Sequence, residues 1–153
     1  MPAFEFIALG GTILSSLLSI AASIKQLIQK GGAKDFDDAV EKYKSTASPE
    51  TLALLNEEYN INSVYGLVHS IISPAVLDQL SEEANSCEEV YIRNRRDANG
   101  DPIRLKGAEK KVKRCVCSTL STIMKHNGGD LPDANGSDKD QLRKLFHSHE
   151  CDL

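Results

Sequence analysis

The sequence predicts a mainly α-helical chain: a small helical bundle with one β-hairpin and an apolar N-terminal helix that inserts into a membrane. Three observations carry that expectation. The run from Phe6 to Ile24, FIALGGTILSSLLSIAASI, holds no ionisable residue. Aromatic residues make up only 5% of the chain and tryptophan is absent, so any core must rest on Leu, Ile, Val and Ala, which suits helices. Near the middle, VYIRNRR and IRLKG flank the turn-forming DANGDP in the manner of a hairpin. Beyond Lys25 the texture is ordinary, with 26% charged residues in the whole chain and a net charge of −4. The expected organisation is an apolar or transmembrane helix at 1–30, a helical body at 31–146 carrying the hairpin at about 90–106, and a tail at 147–153.

The uncharged run of 19 positions reaches roughly 28 Å as a helix, at about 1.5 Å per residue. That length matches the hydrocarbon thickness of a bilayer. Phe6, Leu9, Ile13, Leu17, Ile20, Ile24 and Leu27 form a stripe of large side chains. Ala8, Gly11, Ser15, Ser19 and Ala22, with Thr12 beside them, form a small-residue stripe on the opposite face. Small residues at this spacing let helices approach closely in lipid, so that face is the expected oligomerisation or pore face. Lys25, Lys30 and Lys34 follow the run and only Glu5 precedes it, which orients a single-pass helix with its C-terminal body in the cytoplasm. The alternatives are a cytoplasmic protein with this run as its bundle core, or a secretion signal, against which Glu5 stands in place of a basic leader.

Gly31-Gly32 ends the first helix. Asp35–Tyr43 reads as a short helix with acidic residues at its start, and Ser48-Pro49 opens another. Asn60-Ile61-Asn62 reads as a turn, after which Ser63 caps VYGLVHSII, with His69 packed inside that helix. Ser73-Pro74 starts AVLDQLSEEA, and Cys87, a small buried hydrophobe, ends that region. After the hairpin a helix runs from about Ala108 to Lys125 and stops at Asn127-Gly128-Gly129. A loop at Asp130–Lys139 and a last short helix, DQLRKLF, precede the tail.

Nine basic residues fall between Arg93 and Arg114, opposed only by Asp97, Asp101 and Glu109. The segment carries +6, which leaves −10 for the rest of the chain. Arg93, Arg95, Arg96, Arg104, Lys106, Lys110 and Lys113 are the expected site for an anionic partner: a nucleotide, nucleic acid or anionic lipid. Two helices followed by a basic hairpin, over Asn62–Lys106, look like a winged helix-turn-helix. The presumed recognition helix holds Asp78, Glu82 and Glu83 and no basic residue, the wrong sign for a DNA groove.

Cys115, Cys117, His147, His149 and Cys151 could converge on a structural zinc, although i and i+2 positions diverge on a helix. In a cytoplasmic body the four cysteines read as free thiols; in a secreted chain they would allow two bridges. No phosphate-binding glycine loop, nucleophile elbow or His-Glu-x-x-His pattern occurs, so the expectation is a non-enzyme without a cofactor unless zinc binds. The combined reading is a membrane-associated, homo-oligomeric effector or pore-type protein whose body takes an anionic ligand. In outline it is similar to small membrane effectors of cell-death or antiviral systems. The alternatives are a nucleic-acid-binding regulator with a winged-helix-like body, or a helical adaptor or inhibitor.

Overall fold

A computed structural model describes residues 3–130, 132 and 151, the side chains of 3–12, 58 and 59 excepted. Among the described residues six helices are present: α1 (Ala3–Gln29), α2 (Phe36–Lys44), α3 (Pro49–Leu55), α4 (Glu58–Val68), α5 (Pro74–Ala98) and α6 (Pro102–His126). Their ends follow local chemistry. Gly31, at φ +76°, takes the left-handed position after α1. Asp35, Ser48 and Ser73 each accept a hydrogen bond from the backbone N–H three residues on, and Pro49 and Pro74 occupy first turns where no N–H is needed. The Asn60-Ile61-Asn62 turn does not form, because α4 already begins at Glu58. Buried Asn60 instead donates to the Leu54 carbonyl and the Glu57 carboxylate, tying α4 to the end of α3.

Helix α1 is the centre of the bundle. It lies along α5 and also touches α4, α2 and α6. Leu14, Leu18, Ala21 and Ile24 have no exposed surface, and Leu17, Ile20 and Ala22 have almost none. Burying each of these large side chains stabilises the fold by about 1.5–3 kcal/mol. The membrane-inserting helix is therefore corrected: its C-terminal half is wrapped by later helices of its own chain. Among the described residues no helix is long and apolar enough to cross a membrane. No single later segment is greasy enough to surround α1. Four helices that each contribute one apolar stripe do so together.

Part of the small-residue stripe packs against the chain's own helices. Ser15 Oγ donates to the Ser81 carbonyl at 2.9 Å, and Ser81 Oγ returns a bond to the Ser15 carbonyl at 2.8 Å. The small side chains of Ser15 and Ser81 bring the two backbones together, as small residues do between packed helices, and at Ser15 the partner is α5. Ala22 is buried and Ser19 is exposed. Ala8, Gly11 and Thr12 lie outside the described side chains.

At the other end of α1, Lys25 is 9% exposed. Its ammonium donates to the carbonyls of Ser70, at 2.6 Å, and Ile72, at 2.5 Å, in the α4–α5 connection. These contacts run antiparallel to the Ser15–Ser81 pair, so α1 and α5 are antiparallel. Burial holds the Lys25 ammonium below the ordinary lysine range. The unfolded chain thus binds this proton more tightly, and the Lys25 contribution to stability rises as pH climbs toward 10.5. Lys25→Met leaves two carbonyls without their donor, and it is expected to cost about 2–3 kcal/mol in urea denaturation at unchanged slope.

The β-hairpin is also corrected, since the described residues contain no strand. Residues 90–98 continue α5, and 102–106 open α6. Asn-Gly supplies positive φ to a hairpin turn and to a helix stop alike, and here Asn99 (φ +48°) and Gly100 (φ +81°) end α5. Asp101 then accepts from the Ile103 N–H at 3.0 Å as N-cap, and Pro102 starts α6. Leu77, Leu80, Ala84, Cys87, Tyr91 and Ala98 are buried in α5 at steps of three, four and seven, so the helical period runs unbroken through the supposed strand. Without strands there is no wing, and the likeness to a winged helix-turn-helix lapses.

Candidate anionic-partner site on the helical hairpin

All four cysteines are paired, Cys87 with Cys115 and Cys117 with Cys151, and no free thiol is present. The free-thiol expectation is corrected accordingly. Cys115 and Cys117 diverge on α6 as i and i+2 must: one turns to Cys87 of α5, the other to Cys151. Cystine sulfurs are not thiolates, so Cys115, Cys117 and Cys151 do not present a zinc ligand set in this state. His147 and His149, the short helix DQLRKLF and most of the Asp130–Lys139 loop lie outside the described residues. Among the described residues no three His, Cys, Asp or Glu side chains gather as a metal site.

The Cys87–Cys115 bond joins α5 to α6 with a Cα–Cα distance of 5.6 Å. Every one of the nine basic residues lies between these two cysteines, so the disulfide clips the base of a basic helical hairpin. Arg93, Arg95 and Arg96 stand near the end of α5, and Arg104, Lys106 and Lys110 near the start of α6; all six are exposed. Lys113 is half-buried and pairs with Glu109 at 3.6 Å. Arg104 lies 4.0 Å from the Asp101 carboxylate and donates to the Asp97 carbonyl at 3.5 Å. Such surface pairs are worth less than about 1 kcal/mol and leave the local field positive. The fold therefore keeps the predicted cluster together, on helices rather than strands.

Sequence reasoning missed the apolar component of this end. Ile103 is 81% exposed beside the turn, and Ile92 is 51% exposed among the arginines of α5. Both fall off the buried periodicity of their helices, a signal that becomes readable only when the helical register through residues 90–106 is known. His69, by contrast, is not inside α4 but caps its C-terminus, exposed, its ring stacked on Tyr65 at 4.1 Å with Phe36 edge-on to Tyr65 at 5.0 Å. Comparison with known proteins adds no relative: no family model, curated protein or solved structure matches this chain.

Proposed function

We propose that this chain is a non-enzymatic helical binding module, an adaptor or inhibitor, whose clipped α5–α6 hairpin engages an acidic protein surface. The observation that supports the reading is that Arg93, Arg95, Arg96, Arg104, Lys106 and Lys110 and the isoleucines Ile92 and Ile103 are all exposed on the two helix segments that flank the hairpin turn. Basic groups supply attraction and steering, and the isoleucines supply area to bury against a partner. A nucleic-acid partner would use the charge and leave the isoleucines wet. Two cystines favour an oxidising compartment over the cytosol. Alkylation of the purified native chain without reductant should then modify no cysteine.

The test uses three probes: a glutamate–tyrosine copolymer, polyglutamate and duplex DNA. The copolymer is expected to bind most tightly, with affinity falling as salt rises. The combined variant Arg93→Glu, Arg96→Glu, Lys106→Glu should lose at least about tenfold in affinity, since like charges across an interface cost several kcal/mol, while its helical circular dichroism stays unchanged. Tighter binding to DNA than to the copolymer would transfer the site to nucleic acid, and no binding to any probe would remove it.

A further inference from the structure

The outward face of α5 changes sign along its length. Asp78, Glu82 and Glu89 occupy its first part, Arg93 and Arg96 its last, and all five are exposed. At about 100° per residue these five positions fall within a sector of roughly 60°, opposite the buried side of the helix. The helix dipole does not account for the order, because its influence fades within a turn of each end and Glu82, Glu89 and Arg93 lie further in. Nor are the charges paired locally: among the described residues their one local contact is a 3.4 Å hydrogen bond that Glu89 accepts from the Asn85 amide. Asp78, Glu82, Arg93 and Arg96 make no ion pair among the described residues, and Glu89 and Arg93, though four residues apart, do not form one.

We propose that α5 pairs antiparallel with α5 of a second copy of this chain, about a two-fold axis near Cys87. Asp78 and Arg96 are equidistant from that point, and Glu82 and Arg93 nearly so. An antiparallel partner therefore sets Asp78 against the partner's Arg96 and Glu82 against the partner's Arg93, and the symmetry repeats both pairs in the other direction. Glu89 and Asn85 are equidistant from the axis, so each Glu89 faces the partner's Asn85, with Ser86 beside the axis and Ile92 at the flank. The paired stretch, 19 residues from Asp78 to Arg96, is about 27 Å long, so the interface is small and the dimer reversible and salt-sensitive. The inference goes beyond the acidic-partner reading. The two share Arg93 and Arg96 but not Glu82.

The experiment is sedimentation equilibrium of the full oxidised chain at low and high ionic strength. The wild type should dimerise at low salt and dissociate at high salt. Glu82→Arg and Arg93→Glu each create two like-charge contacts across the axis, and each should weaken dimerisation at least about tenfold. Mixing these two single variants should give a heterodimer, and the double variant should dimerise again with itself. A wild type that stays monomeric at low salt overturns the proposal, as does a single variant that still dimerises or a mixture that does not associate. Glu82→Arg should keep its affinity for the glutamate–tyrosine copolymer, so loss of the dimer and loss of acidic-partner binding are read separately.

Discussion

Replacing all four cysteines by serine is expected to remove roughly 7 kcal/mol of stability, most of what a domain of this size has. The two bridges span 28 and 34 positions and close separate, non-overlapping loops. Constraining loops of that length in the unfolded chain contributes about 3.5 kcal/mol each, and the contributions add because the loops share no residue. Cys87→Ser with Cys115→Ser should therefore cost about half the total, and Cys117→Ser with Cys151→Ser the other half. Urea denaturation of the three variants against the oxidised wild type measures both terms. The first pair should also weaken binding to the copolymer, since the base of the hairpin is then held by packing without a covalent link, Tyr91, Val112 and Val116 being among its buried residues. A combined loss below about 2 kcal/mol would show that the loops are not what restrains the unfolded chain.

Leu18→Ala is expected to cost about 3–4 kcal/mol, whereas Ser19→Ala one position along should stay within about 0.5 kcal/mol. Leu18 has no exposed surface and belongs to the core cluster, so its truncation loses transfer energy and leaves a cavity there. Ser19 faces water on the same helix. The contrast tests the role of α1 directly, because a helix facing lipid would show no such alternation in the stability of the body. Equal, small effects at both positions would detach α1 from the core.

Much of the framework could be read from residues alone. The capped starts at Ser48-Pro49 and Ser73-Pro74, the stop at Gly31 and the acidic opening of α2 are decided by groups within four positions of each other. Local chemistry suffices there because the orphan N–H and carbonyl groups of a helix end are satisfied nearby. The basic cluster was legible for a similar reason, since charge follows from composition whatever the backbone does. The hairpin was not. VYIRNRR is too short for its alternation to outweigh a seven-residue repeat that begins at Leu77, and DANGDP serves strand turn and helix junction equally.

The sequence by itself determined that this chain is mainly helical, that the large apolar side chains of the run at 6–24 favour leaving water, and that one segment gathers its positive charge. Only the tertiary structure decided what that run escapes into and which cysteines meet. An uncharged helix gains from lipid and from a protein core by the same removal of apolar surface from water, so its composition cannot tell the two apart. The choice lies in whether other helices offer stripes that close around it, and Leu14, Leu18 and Ile24 are closed off by theirs. Disulfide pairing likewise depends on Cα atoms separated by 28 and 34 positions arriving 5.6 and 5.5 Å apart, a distance that packing sets and spacing does not.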